Sequence, residues 1–214
     1  MVQQEIKRND PLKRATDAVR EEDLEHMLLD VDDLPSELTG FEIAREGILD
    51  NTSMADHGFP GQTVESIGAR GRITGYVREF APEELETALD GDLITVGTVI
   101  HLFETDDGPS QWIDDIFLKE FLESVGNLND NGHELIHAEQ LELSGFYGKA
   151  ASIFAIHEIP NGTLGSTIVD FSIGRLLGVT FAVTLGETQN LELAKGLALS
   201  LERQVVSVAL GSTY

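Results

Sequence analysis

The chain has 214 residues, 41% of them hydrophobic, enough for one core plus an appendage and too many for a disordered polymer. It has no cysteine, which excludes a disulfide framework and any thiolate metal site. Its formal net charge of -24, from 38 acidic and 14 basic residues, repels phosphate backbones, so nucleic acid is not an expected partner. Cationic partners, metal ions and adaptation to a salty medium all fit the same charge.

The opening segment, MVQQEIKRND, has no apolar core and does not read as a signal peptide. The expected location is therefore the cytoplasm, or outside the cell as a domain whose leader has been trimmed. No run of about 18 apolar residues occurs, so membrane insertion is not expected. Asp10-Pro11 has the pattern of a helix start, an N-cap before a proline in the first turn. Leu12, Ala15, Val19, Met27, Leu28 and Val31 then predict a loosely amphipathic helix to about residue 30, lying outside the main fold. The expected organisation is a helical extension over residues 1–33 and a single α+β domain over 34–214.

The domain opens at Leu34-Pro35. Residues 41–48 read as a short strand, and the Gly- and Ser-rich stretch 51–71 as loop with one helical turn. Residues 70–80, RGRITGYVREF, predict a strand, and residues 92–104 predict another, apolar on both faces and so covered on both sides. Asp107-Gly108-Pro109-Ser110 introduces a helix over 110–125 whose inward stripe is Trp112, Ile113, Ile116, Phe117 and Phe121. Residues 149–159, 165–173 and 177–185 read as three strands. The last two alternate cleanly: Thr167, Val169, Phe171 and Ile173, then Leu177, Val179, Phe181, Val183 and Leu185. A final helix runs over 189–208, with Ala194, Leu197, Leu201, Val205 and Val208 inward. Strands grouped between isolated helices predict an α+β fold, a curved antiparallel sheet packed with helices. From residue 160 onward the chain is almost neutral, which marks it as core or as an apolar contact surface. Self-association through the first helix or this C-terminal meander would use such a surface.

One motif carries a metal chemistry. Residues 133–137 read His-Glu-Leu-Ile-His, the H-E-x-x-H pattern of zinc peptidases. On a helix, His133 and His137 would share a face and hold one zinc ion, with Glu134 as general base on its water. His157 or Glu158 would supply the third ligand. Against this, Asn131-Gly132 sits directly before the first ligand, where such motifs have helix. The extended zinc pattern also fails at Gln140 and Leu143. Read as a strand, the two histidines would lie about 13 Å apart, too far to share a metal. Asn127, Asn129, Asn131 and Gly132 imitate a calcium loop, but Ala138 stands where that loop needs a bidentate glutamate. No cofactor is therefore expected, with zinc as the alternative.

The second candidate is the basic cluster Arg70, Arg72 and Arg78. Their even spacing predicts one strand face shared with Tyr76 and Phe80, suited either to salt bridges or to an anionic ligand or partner.

The stretches LPSELTGFEI, GRITGYVREF, DLITVGTVIHLF, SQWIDDIFLKEFLES and IVDFSIGRLLGVTFAVTLGE come in an order that resembles the PsbP-like group of α/β/α sandwich domains. That group includes an extrinsic photosystem protein and exported bacterial lipoprotein domains. The resemblance spans about residues 34–208. It implies a non-enzymatic binding or scaffold domain for a protein or small ligand, with HELIH in the strand after the central helix. The alternative is the zinc-dependent hydrolase.

Overall fold

The structure is a computed structural model, and it describes residues 10–57, 62–85, 88–89, 91–128 and 133–211. Helix α1, Pro11–Thr16, starts as expected: the Asp10 carboxylate accepts from the amides of Leu12 and Lys13. It does not run on to residue 30. Asp23 caps the amide of Arg20, and a 3-10 helix, Glu21–Met27, follows. Asp33 caps the amide of Asp30 in the same way at a shorter one, Val31–Asp33. Carboxylates that bind nearby amides compete with a continuous helix and break it into turns. A third short 3-10 helix, Ser36–Leu38, leads into the sheet. This N-terminal helical segment, expected outside the fold, packs into it. Val19, Leu24, Met27, Leu28 and Leu29 are all buried in the main core.

The strands are β1 (Phe41–Ile48), β2 (Arg72–Pro82), β3 (Leu93–Phe103), β4 (Glu134–Leu141), β5 (Ala150–Ile159), β6 (Gly162–Ile173) and β7 (Leu176–Leu185). They form one seven-stranded sheet in the order β1-β2-β3-β7-β6-β5-β4, antiparallel at every pairing. The chain makes β1 to β3, crosses to the far edge, and returns through the meander β4 to β7 until β7 meets β3. The near-neutral meander strands β6 and β7 thus lie in the middle of the sheet. The fold class is α+β, as the grouping of strands predicts.

Two short helices, α2 (Asn51–His57) and α3 (Val64–Gly68), fill the β1–β2 connection that reads from sequence as mostly loop. Helix α4 is composite: an α turn, Gly108–Trp112, a π-helix, Ile113–Glu120, and a last α turn, Phe121–Glu123. Helix α5 is Leu191–Ala209. One face of the sheet is covered by α5 and the 3-10 segment over Phe80, Val96, Ile100, Val169 and Phe171. Here β7 presents Gly178, Thr180, Ala182 and Thr184, small residues that let α5 approach closely. Thr180 Oγ1 donates to the carbonyl of Ala194 across this contact at 2.8 Å. The opposite face carries α3 and α4 over Phe103, Leu135, Ala151, Ile153 and Leu177. We call these the α5 face and the α4 face.

Candidate functional site

The HELIH residues lie on an edge strand, since Glu134 begins β4. The register slips between Leu135 and His137: Leu135 pairs with His157 and His137 with Ile156, leaving Ile136 as a bulge. A bulge inserts one residue and reverses the alternation beyond it. Leu135 and Ala138 accordingly pack on the α4 face, while the ring of His137 stands 6.4 Å from Phe154 on the α5 face. His157 shares the α4 face with Leu135, and His133 lies near enough to disfavour its protonation. Burial is the larger cause of the lowered His157 pKa. Glu134 pairs with Glu158, on the side of His137. The helical geometry on which the zinc reading depends is not formed, and no group of three metal-ligating side chains occurs among the described residues. In the calcium-like run, Asn129, Asn131 and Gly132 lie outside the described residues.

A second bulge divides the arginine group. Arg72 pairs with Phe103 and Thr74 with Leu102, so Ile73 is the extra residue. Tyr76, Arg78 and Phe80 face α5, whereas Arg72 faces α4. Arg78 donates to Glu46 at 2.9 Å and to the carbonyl of Leu29 at 3.0 Å, tying β2 to β1 and to the N-terminal segment. Burial raises the Tyr76 pKa, and the Glu25 and Glu46 carboxylates add to it. Arg70 meets Glu120 of α4 at 2.6 Å. The three arginines therefore have three separate sets of partners and form no common surface.

Arg72 is the unusual member, only 2% exposed. Its Nε donates to His101 Nδ1 at 3.1 Å, and its other nitrogens donate to the Asn51 side chain and the carbonyl of Leu49. No carboxylate among the described residues forms an ion pair with it, and burial lowers its pKa to about 10, opposed by Asp50. His101 must be neutral to accept from a guanidinium. Burial, and then the Arg72 charge, hold its pKa well below the usual imidazole range. The network joins the end of β1, α2, β2 and β3, with Arg72 and His101 buried and Leu49 and Asn51 half-buried. It is the anchor of α2 to the sheet.

The remaining part of the α4 face is different. Across β3, β7 and β6, Thr95 pairs with Val183, Gly97 with Phe181 and Val99 with Val179. Phe181 in turn pairs with Ile168, and Val179 with Asp170. Thr95, Ile168, Val179, Phe181 and Val183 are all only half-buried. Phe181, Val183 and Thr95 belong to neither core cluster among the described residues. The Phe181 ring lies over Gly97, where a Cβ would come within 2.2 Å of Cζ. The result is an apolar strip with an aromatic platform, beside a helix that covers only the neighbouring part of the face.

Asp170 borders this strip. It stands between Ala151, under α4, and Val179, in the strip. It is 3% exposed, the only buried acid among the described residues, and burial raises its pKa well above the carboxylate range. The sequence marks both features. Asp170 is a lone acid in the apolar run TIVDFSI, and β7 alternates more strongly than a half-covered face requires.

No protein-family model matches the chain, and no curated protein sequence matches it. Among solved structures, the fold is similar to the extracellular domain of PknH from Mycobacterium tuberculosis, with a TM-score of 0.59 at 12% identity. The alignment covers 87% of this chain and 96% of that one. At this identity the likeness is one of fold. No helix among the described residues is long and apolar enough to cross a membrane.

Proposed function

We propose that the chain is a non-catalytic binding domain whose ligand lies on the apolar strip of the α4 face. The observation that carries this reading is the strip itself. Val179, Phe181, Val183 and Ile168 lie side by side on the sheet and stay only half-buried, Phe181 and Val183 outside either core cluster among the described residues, although the same strands are covered on the α5 face. Apolar surface left open beside a finished core is a common mark of an interaction site. The glycine beneath Phe181 supports it: a side chain at Gly97 would occupy the space of the ring.

Two further points agree with a binding role. The structural neighbour is an extracellular domain, a setting suited to recognition. Membership of the PsbP-like group, which we propose from the order of elements, would imply the same class of task.

The test is titration with an apolar probe, octanol, followed by methyl NMR. Binding at the strip shifts the methyl signals of Ile168, Val179 and Val183, and Phe181→Ser weakens it. Absence of shifts in those methyls at octanol saturation removes the proposal.

A further inference from the structure

Asp170 has a place in the fold that a structural carboxylate does not explain. Among the described residues, none donates a hydrogen bond to it and no cation pairs with it. Charges on α4 are engaged elsewhere: Asp114 pairs with Lys149 and Glu120 with Arg70. The hydroxyl two residues along β6 also has other partners. Ser172 Oγ bonds the backbone of Lys149 and lies 3.4 Å from Ser110 Oγ. A buried polar group without a partner is costly and rare, and its presence calls for an explanation.

Its surroundings supply one. Asp170 lies directly across from Val179 and two residues from Ile168, both half-buried where the α4 core meets the strip. Opposed Cβ atoms on a sheet are about 5 Å apart, and residues i and i+2 about 7 Å, so one small head group can span carboxyl and strip. The helix crossing β6 here is wound as a π-helix, a form rare in proteins and frequent at functional sites. The protein carries a net charge of -24, a field that draws cations toward it and repels anions.

We infer that the strip and Asp170 together form a site for a small organic cation, a primary ammonium on an apolar body. This rests on the binding role proposed above and adds the chemical class of the ligand. The apolar body lies along Ile168, Val179 and Phe181, and the ammonium N–H groups donate to the Asp170 carboxylate. Asp170 releases its proton to solvent as the ammonium enters, so the buried pair is neutral overall. Asp170 as a residue is only 3% exposed, so close approach to its carboxyl favours a primary ammonium over a bulkier quaternary one.

Burial raises the Asp170 pKa well above its usual value and so favours the protonated carboxyl in the empty protein, which makes proton release on binding a signature of this site.

The experiment is isothermal titration calorimetry of the full chain near neutral pH with octylamine, octanol and octyltrimethylammonium, in buffers of different ionisation enthalpy. Octylamine is expected to bind about tenfold or more tightly than octanol, as a charge-assisted hydrogen bond requires. It should release about one proton per molecule bound. Octyltrimethylammonium should show no such preference, and Asp170→Asn should abolish the preference of amine over alcohol. Equal binding of amine and alcohol, or amine binding without proton release, overturns the inference; both are read on the parent protein, whatever the variant does. Octanol binding with no amine preference removes the cation and leaves the apolar strip standing, whereas failure of octanol as well removes both.

Discussion

A methyl group added at position 75 would collide with three atoms at once. It would sit 2.7 Å from His101 Nδ1, 2.8 Å from Arg72 Nη2 and 2.8 Å from the carbonyl of Ile100. None of these can move freely, because the guanidinium is fixed by Leu49 and Asn51. Gly75→Ala should therefore cost about 1–3 kcal/mol, as overpacking of a core does, seen as a lower urea midpoint at unchanged slope. The two buried titratable groups give opposite pH signatures. His101 has a folded pKa far below its unfolded one, so the unfolded state binds the extra proton. Stability is then lost as pH falls below about 6.5, by up to about 1.4 kcal/mol per pH unit. Half-buried His157 acts in the same direction. His101→Gln should therefore reduce the slope of stability against pH between about pH 6.5 and 4.5 without abolishing it. Asp170 has a folded pKa far above its unfolded one, so its contribution is lost as pH rises above about 4. Asp170→Asn should raise the urea midpoint near neutral pH, and the gain should vanish in acid. A variant no more stable than the parent at neutral pH would mean that the carboxyl has a partner.

At the scale of elements, the number and kind of strands and long helices follow from periodicity, but which residues share a face does not. Alternation predicts one face for Arg72, Tyr76 and Arg78, and a bulge at Ile73 puts Arg72 on the other. The same device at Ile136 separates the two histidines of HELIH. A bulge leaves no clear trace in a single sequence, because the inserted residue is an ordinary apolar one. The reading of the arginines, which rests on parity, misses such a slip, whereas the alternation of β6 and β7 is legible because those strands pair without one. The N-terminal segment failed for another reason. Its apolar residues are spaced loosely enough to suit a helix, yet Asp23 and Asp33 bind backbone amides and fold it into 3-10 turns. Those turns deliver Leu24 (1% exposed) and Met27 (0%) to the core. Leu24→Ala should then cost about 2–5 kcal/mol, the price of a core truncation. Val31→Ala, at a position 40% exposed, should change stability by less than about 0.5 kcal/mol. Equal small effects in thermal and urea unfolding would make the segment a detachable arm.

For the molecule as a whole, composition gives the sign of the charge, and the structure shows where compensation is missing. The observed ion pairs are surface or half-exposed contacts such as Lys13 with Asp106 and Arg45 with Glu79, each worth little in water. With 38 acids against 14 bases, most carboxylates have no cationic partner within the chain. Their mutual repulsion opposes the compact state, in which they are held closer than in the unfolded chain. Salt shortens the reach of this repulsion from about 30 Å at 0.01 M to about 3 Å at 1 M. The melting temperature should therefore rise steeply with added sodium chloride, while a charge-neutral domain of the same size would respond weakly. The two sources of a salt effect separate by anion and by pH. Screening of carboxylates works equally with chloride and sulfate at matched ionic strength and fades near pH 4, where the acids are protonated. Strengthened apolar burial is larger with sulfate and persists in acid. Thermal unfolding in the two salts at neutral and acidic pH thus decides whether the charge itself governs stability. A flat response to chloride at neutral pH would mean that the acids are spaced widely enough to ignore one another. The field that draws an ammonium ion toward Asp170 would then be correspondingly weak, so octylamine affinity should fall with salt only where the melting temperature rises with it.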